Sequence, residues 1–230
     1  MEKTKMRKEK KKINLTEGSV AKGLMSFAIP MIIGNIFQQL YNIVDSIIVG
    51  KMVGADALAA VGASTSITML FVMVAVGTGI GCSVVISQLF GAKKMEQLKT
   101  AIDTALFSIL VFSIILSLLG RALSVPILTA LKTPENIMVD ATTYLNIYFY
   151  GFFFLFLYNA FTSVFNALGD SKKPLYFLIF SSFVNIGLDI YFVKSLKLGV
   201  AGAAWATLIA QALSAVLSFI VLKKKLDGIE

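Results

Sequence analysis

The sequence predicts an all-α polytopic membrane protein, a bundle of six transmembrane helices. The chain of 230 residues is 57% hydrophobic and only 15% charged, whereas a soluble domain is about 25% charged. Its mean hydropathy is +0.82. Of the 21 basic and 13 acidic residues, 11 lie within Met1–Lys22. The rest of the chain therefore carries too little charge to cover a surface that faces water.

The uncharged stretches of the sequence define the individual helices. A helix needs about 20 apolar residues to cross the hydrocarbon layer, and the shorter third and fifth stretches are interrupted only by Asp103 and Asp189. We predict helices near 23–50, 57–90, 101–122, 142–168, 175–194 and 199–222, called spans one to six. Between spans three and four, Leu123–Asp140 carries Pro126 and Pro134 and is predicted to form a small loop.

Basic residues orient these spans. Of the 21 Lys and Arg residues, 16 lie on the side of the amino terminus and five on the opposite side. Because loops on the cytoplasmic side are enriched in basic residues, both termini are predicted to be cytoplasmic in a multi-pass protein of the plasma or inner membrane. The basic tail at 1–22 is predicted to be attracted to anionic lipid rather than to nucleic acid.

The composition excludes several kinds of catalytic chemistry. The sequence contains no His, so imidazole proton relays and most catalytic zinc sites are excluded. Its single cysteine, Cys82, lies in an apolar run and has no partner for an intrachain disulfide. We expect no cofactor.

Two acids lie inside spans, where each costs at least about 2.5 kcal/mol to insert. Asp45 precedes Lys51 by six residues and Asp189 precedes Lys194 by five, so each lies about 7–9 Å below the outer boundary. Both spans run outward, so the two acids can meet at one level. Two carboxylates this close need a shared proton or a cation between them.

Polar side chains accompany both acids. Tyr41 and Asn42 lie one turn before Asp45, and Asn185 lies one turn before Asp189. Thr207 of span six lies about 12 Å below the outer boundary. Carboxylate, amide and hydroxyl oxygens in a dry interior suit a hard monovalent cation or a proton.

The alternative is a pair of ordinary ion pairs, Asp45 with Lys51 and Asp189 with Lys194. Neither lysine shares a helical face with its acid, which weakens this interpretation. In span one, Pro30 frees a backbone carbonyl and provides a bend point that suits either a conformational switch or a passive kink.

Four segments resemble the MATE (multidrug and toxin extrusion) transporters. The segment Ile29–Gly62, IPMIIGNIFQQLYNIVDSIIVGKMVGADALAAVG, is similar to that family's first helix and the turn after it. The segments NALGDSKKP (Asn166–Pro174), VNIGLDIYFV (Val184–Val193) and GVAGAAWATLIAQ (Gly199–Gln211) resemble its fourth-to-fifth loop, fifth helix and sixth helix. The matches occur in the family's order over all of the chain except the tail.

The resemblance implies a secondary antiporter that exports amphipathic or cationic drugs while Na⁺ or H⁺ moves inward. It also implies twelve helices in two six-helix lobes, of which this chain is the amino-terminal lobe. By position, the cation site would consist of Asp45, Asn185, Asp189 and Thr207, and Pro30 would be the bending proline. Tyr41, Tyr144 and Asn159 match polar residues near that site, and Thr162 stands where some relatives have Asn.

Six helices make one lobe, and residues 223–230 match the start of a cytoplasmic linker between lobes. We expect the partner to be a carboxy-terminal lobe of a longer protein, or else a second copy of a half-size chain. The first of these is the favoured interpretation.

Two other functions are weighed against drug export. A flippase for lipid-linked saccharides, in the same superfamily, would need a cationic cleft, and the spans carry almost no interior Lys or Arg. An intramembrane aspartyl protease would need two acids at one level. The segment Ala167–Asp170 superficially resembles the motif of such proteases, but Asp170 is predicted at the cytoplasmic edge, opposite Asp45.

Overall fold

The structure is a computed structural model that describes residues 20–228, with side chains at every position of that range except 20 and 22. Its described residues form seven α-helices and a π-helical turn, without any strand. The predicted basic tail lies outside the described residues up to position 19. The helices are α1 (Val20–Met52), α2 (Ala55–Gly91), α3 (Met95–Ala130), α4 (Glu135–Tyr150), α5 (Phe152–Ala167), α6 (Lys172–Asp189) and α7 (Gly199–Asp227), with the π-helical turn at Ile190–Ser195.

Six membrane crossings fit these helices. Five of them, α1, α2, α3, α6 and α7, are long and apolar enough to span a bilayer. The bent pair α4 and α5 makes a sixth crossing when it is counted as one span. The prediction of an all-α, multi-pass bundle is therefore confirmed. We call the end with the α2–α3 and α5–α6 turns the inner end and the opposite end the outer end.

The connection between α3 and α4 is much shorter than the predicted loop at 123–140. Helix α3 continues through Pro126 to Ala130, and α4 begins at Glu135, directly after Pro134. The side chain of Thr129 donates to the carbonyl of Val125 in this last part of α3. The prediction was wrong because an uncharged stretch measures only the hydrocarbon crossing, whereas a helix continues into the water beyond it.

A helix also continues beyond its predicted end at the carboxy-terminal end of the described chain. Helix α7 continues to Asp227, past the predicted helix end at 222, and Lys224 and Lys225 lie in its last turn. Basic side chains in the last turn interact favourably with the partial negative charge of a helix carboxyl end. Most of the segment predicted as the start of a linker is thus helical.

Gly151 divides the predicted fourth span into two helices. The axes of α4 and α5 differ by 50° at this residue. A Cβ atom at Gly151 would lie 2.5 Å from Cγ of Leu208 in α7, so only glycine permits this approach. The Ser117 hydroxyl donates to the Phe149 carbonyl beside the bend. The bend therefore lets the fourth crossing contact α7 at Leu208, the residue that follows Thr207.

The fifth crossing changes its helical form at Asp189. The α-helical hydrogen-bonding pattern of α6 ends at this residue, and six residues of π-helix follow, Ile190–Ser195. Single turns of π-helix inside α-helices frequently lie at functional sites. The predicted span at 175–194 is thus one continuous crossing with a changed winding immediately after its acid.

Within the described part of the chain, three buried apolar clusters hold the bundle together. A middle cluster of α2–α5 contains Leu145, Phe149 and Phe152. An outer cluster joins α1, α2, α4 and α7, and an inner cluster joins α2, α3, α5 and α7. Helix α1 packs mainly along α6, and much of its remaining surface is exposed. Helix α1 therefore lies at the edge of the described bundle, and its side facing away from α6 is largely exposed.

Candidate functional site

Two buried carboxyl groups meet between α1 and α6. Asp45 is 8% exposed and Asp189 is 0% exposed. The two carboxyl groups lie within hydrogen-bonding reach of each other. The structure therefore brings the two predicted acids together in one buried site, which we call the acid pair.

Three of the four carboxyl oxygens of the acid pair lack a hydrogen-bond donor among the described residues. Oδ1 of Asp45 and both carboxyl oxygens of Asp189 are buried without a partner there. An ionised carboxylate only accepts hydrogen bonds, so two carboxylates in contact repel each other unless a proton or a cation lies between them. The geometry thus provides a site for one positive charge.

The two outer lysines do not supply this charge. Lys51 and Lys194 are exposed, whereas both acids are buried. The ion pairs that the structure shows among the described residues belong to a different acid, Asp170. The simple ion pairs considered as an alternative therefore do not describe this structure.

Asn185 and Thr207 tie α6 to α7 beside the acid pair. Asn185 is 1% exposed and Thr207 is 6% exposed. Nδ2 of Asn185 donates to Oγ1 of Thr207 over 3.3 Å, and the Tyr41 hydroxyl lies close to Thr207. Oδ1 of Asn185 is buried and has no partner among the described residues, so it is a further unused oxygen at this site.

Three tyrosines enclose the site on the side of α1 and α4. Tyr144 is buried and lies near both acids and Tyr41. Its ring stacks on that of Tyr148, with 6.2 Å between ring centroids, and Tyr148 also lies near Tyr41. Sequence reasoning did not assign Tyr148 to the site. Its position one helical turn after Tyr144 is the signal that could have identified it.

The donor atoms of the site fit a monovalent cation or a proton. Two carboxyl groups, one amide and one hydroxyl supply only oxygen ligands, which hard cations prefer. Within the described range, no cluster of three or more His, Cys, Asp or Glu side chains could hold a metal ion. A cation bound here would be held mainly by Asp45 and Asp189.

Asn42 and Asn159 each form a hydrogen bond within their own helix. Nδ2 of Asn42 donates to Oε1 of Gln39 on the exposed side of α1, over 3.3 Å. Nδ2 of Asn159 donates to the Leu155 carbonyl within its own helix, over 2.8 Å. Spacing alone placed Asn42 beside Asp45, but the rotation of α1 turns it outward.

The exposed side of α1 forms an open groove with α2. This groove has a volume of about 800 Å³, and Gln39, Asn42, Ser46 and Lys51 are its polar lining residues. The backbone of α1 thus separates the groove from the acid pair. Sequence reasoning had not identified Gln39, although an amide inside an apolar span is a signal that could have been used.

Pro30 lies buried in α1, on the inner side of the acid pair. A proline has no N–H, so the carbonyl four residues earlier, that of Ser26, loses its helical donor. One residue further on, the Phe27 carbonyl accepts a hydrogen bond of 3.0 Å from Oγ of Ser171, in the α5–α6 turn. The weakened turn of α1 is therefore held to the inner end of the bundle by a side chain.

Asp170 is the acid of the proposed protease motif, and the structure places it with lysines. Its Oδ2 lies 3.4 Å from Nζ of Lys173 and 3.2 Å from Nζ of Lys225. The partner of Asp45 is Asp189. The protease alternative required Asp45 to meet Asp170. In the structure Asp45 meets Asp189 instead.

Two bacterial relatives resemble this chain over nearly its whole length. The probable multidrug resistance protein YpnP of Bacillus subtilis is 35% identical over 217 residues, 94% of this chain and 49% of that protein. The probable multidrug resistance protein YoeA of the same organism is 33% identical over 211 residues, 90% of this chain and 46% of that protein. The chain spans about half the length of these relatives.

A solved structure and a family model agree with these relatives. The structure of a MOP superfamily transporter from Pyrococcus furiosus superposes with a TM-score of 0.87 at 27% identity, covering 94% of this chain and 48% of that chain. The family model MatE matches residues 30–191, which include both acids of the pair. By this match the chain belongs to the MatE family of membrane transporters.

Proposed function

We propose that this chain is one lobe of an antiporter that exports amphipathic or cationic compounds, driven by inward movement of Na⁺ or H⁺. The observation that carries the proposal is the acid pair, whose buried oxygens have no donor among the described residues. The names of the two Bacillus relatives support a drug as the exported compound.

The acid pair supplies the coupling. When an ion enters from the outer side, it neutralises the repulsion between Asp45 and Asp189, so α1 and α6 remain in contact. When the site is empty, two buried negative charges oppose this packing. A cation can shift the balance between two arrangements only if it binds one of them more tightly, and the acid pair provides that difference.

Pro30 lets α1 respond to the ion. A helix bends readily at a proline because the carbonyl one turn earlier has no donor. The acid pair lies on the outer side of this bend and the Ser171–Phe27 hydrogen bond on the inner side. Ion binding would therefore move the outer half of α1 relative to an inner half held by Ser171.

The exposed face of α1 supplies part of the substrate route. Four amide side chains, Asn35, Gln38, Gln39 and Asn42, are exposed on this helix. Lipid contact does not suit four amides within two turns. We infer that this face lines a water-filled cleft opposite a second lobe, which is either a carboxy-terminal half or a second copy.

The lining of the groove favours a cationic or neutral compound over a lipid-linked pyrophosphate. Lys51 is the basic residue among its lining residues, which are otherwise amides, hydroxyls and apolar groups. A pyrophosphate would need several basic side chains to replace its water. Drug export therefore remains preferred to the flippase.

The proposed location is the plasma or inner membrane, with both termini in the cytoplasm. The distribution of basic residues supports this orientation. In this orientation the tail at 1–22 would lie at the cytoplasmic leaflet, where anionic lipids attract Lys and Arg.

Export of a cationic dye from cells tests the proposed function. Cells that express the native transporter containing this chain are compared with cells that carry Asp45→Asn or Asp189→Asn. We expect either substitution to abolish ion-driven export while the protein still reaches the membrane. Asp103→Asn, at an exposed position of α3, is the matched control and should leave export unchanged. Unchanged export in both acid variants would refute the coupling role.

A further inference from the structure

Buried polar side chains continue from the acid pair toward the inner end of the bundle. On α6, Ser182 lies one turn inward of Asn185 and is 8% exposed. On α7, Ser214 and Ser218 lie two and three turns inward of Thr207 and are 2% and 1% exposed. Together they extend the polar faces of both helices well beyond the acid pair.

Contacts at the inner end bring α5, α6 and α7 together at this depth. Oγ of Ser214 donates to the Phe177 carbonyl over 3.5 Å, which joins α7 to α6. The rings of Phe165 and Phe177 join α5 to α6, with centroids 6.0 Å apart. Phe161 and Phe219 join α5 to α7, also with centroids 6.0 Å apart. These contacts pack the inner parts of α5, α6 and α7 against one another, in the part of the bundle that carries these polar residues.

Three buried oxygens in this region have no hydrogen-bond partner of good geometry among the described residues. They are Oγ1 of Thr162, Oδ1 of Asn166 and Oγ of Ser218, and we call these three residues the inner polar cluster. Buried polar atoms are normally hydrogen-bonded, and where the protein supplies no partner an ordered water does so. Each of these three atoms is therefore a position where an ordered water can supply the missing hydrogen bond.

The polar residues of α5 lead to the inner surface. Tyr158, Thr162 and Asn166 follow one another at intervals of four residues on α5, and Asp170 lies beyond the end of this helix, in the α5–α6 turn. The hydroxyls of Tyr158 and Thr162 lie close together. The Tyr158 hydroxyl also donates to the Pro174 carbonyl at the start of α6, over 3.3 Å. Asp170, at the end of this row, is only partly buried. The row thus connects the interior with the surface predicted to be cytoplasmic.

We propose that the inner polar cluster is a water-filled passage by which the coupling ion leaves the acid pair for the cytoplasm. This inference rests on the proposed function, because it requires an ion at the acid pair. The neutral oxygens of the cluster replace part of the ion's hydration without binding it tightly, as an exit requires. A bulky organic cation does not fit among these packed helices, so ion and drug take separate routes, the drug along the exposed face of α1.

Thiol labelling tests whether the cluster contains water. Cys82 is the single cysteine of this chain, so Cys82→Ala, with any cysteine of the second lobe also replaced, gives a background without thiols. In the native transporter, Ser218→Cys should react with the small hydrophilic reagent methanethiosulfonate ethylammonium added from the cytoplasmic side. Ser113→Cys is the matched control, because Ser113 is 0% exposed and its hydroxyl is bonded within α3; it should not react. A Ser218→Cys thiol as unreactive as the control would overturn the proposal.

Transport rates test whether the ion uses the passage. Thr162→Val and Asn166→Leu keep the side-chain shape but remove the polar oxygens, and each should slow ion-driven export about tenfold. Equilibrium binding of the ion at the acid pair should stay unchanged. Thr162→Ser, which keeps the hydroxyl, should retain most of the rate.

The outcomes separate this inference from the proposed function. Rates at the native level in both Thr162→Val and Asn166→Leu would overturn the passage while leaving the acid pair in place. Lost ion binding in these variants would overturn it too, since they would then act on the acid pair. Ion dependence that survives Asp189→Asn would refute the proposed function and the passage with it.

Discussion

Nδ2 of Asn185 donates a hydrogen bond of 3.3 Å to Oγ1 of Thr207 beside the acid pair. The bond joins α6, which carries one acid of the pair, to α7, which carries none. Since Tyr41 of α1 also lies close to Thr207, residues of three helices meet at this hydroxyl beside the proposed ion site. Its removal should therefore affect ion binding more than overall stability.

Thr207→Val should weaken binding of the coupling ion. Valine has nearly the shape of threonine but offers neither a ligand oxygen nor an acceptor for Asn185, a loss of about 1–2 kcal/mol, or about tenfold in affinity. The measurement is the ion concentration that gives half-maximal export in proteoliposomes. Thr207→Ser, which keeps the hydroxyl, is the control. Equal half-maximal concentrations in Thr207→Val and the native protein would contradict the role of Thr207.

Gly151→Ala should destabilise the bundle. Its Cβ would lie 2.5 Å from Cγ of Leu208, and overpacking of this kind costs about 1–3 kcal/mol. The melting temperature in detergent should fall. Gly77→Ala is the matched control, because a Cβ there meets nothing within 4 Å. The double variant Gly151→Ala with Leu208→Ala should recover part of the lost melting temperature. An unchanged melting temperature in Gly151→Ala would show that the fourth crossing and α7 do not meet at Gly151.

Pro30→Ala should favour a straight α1. The substitution restores an N–H donor for the carbonyl of Ser26, and proline inside a helix costs about 3 kcal/mol relative to alanine. We expect a more heat-stable protein. Export should be slower, because the arrangement with a straight α1 is then favoured over the arrangement with a bent α1. Thermal unfolding and export rate are measured on the same preparation. Export at the native rate would show that bending at Pro30 is not part of the cycle.

Topology is tested with a pair of exposed acids at opposite ends of the bundle. Glu96 lies in the first turn of α3, at the inner end, and Glu135 lies in the first turn of α4, at the outer end. In the Cys82→Ala background, a membrane-impermeant thiol reagent on intact cells should label Glu135→Cys but not Glu96→Cys. The reverse pattern would invert the orientation and with it the direction of ion movement.

Charge and hydropathy were sufficient to predict the crossings, because each charge that interrupts an apolar run is costly in lipid. Depth below the outer boundary was sufficient to predict that Asp45 and Asp189 lie at one level. Both inferences need only the rise per residue of a helix and the position of the nearest charge.

Features that depend on contacts distant in sequence could not be predicted in this way. The bend at Gly151 is linked to Leu208, which belongs to a different crossing. The π-helical turn after Asp189 changes hydrogen bonding without a change in composition. The outward orientation of Asn42 depends on how α1 rotates against α6. No pattern within a single segment contains this information.

The most direct test of the acid pair is a count of the positive charges that it binds. Purified native transporter is titrated with radioactive Na⁺, and proton release is followed in the same samples. The shared site predicts that a single Na⁺ or proton binds per chain, that Asp45→Asn and Asp189→Asn each abolish this binding, and that Asp103→Asn keeps it. Undiminished binding in a protein that carries both Asp45→Asn and Asp189→Asn would contradict the account.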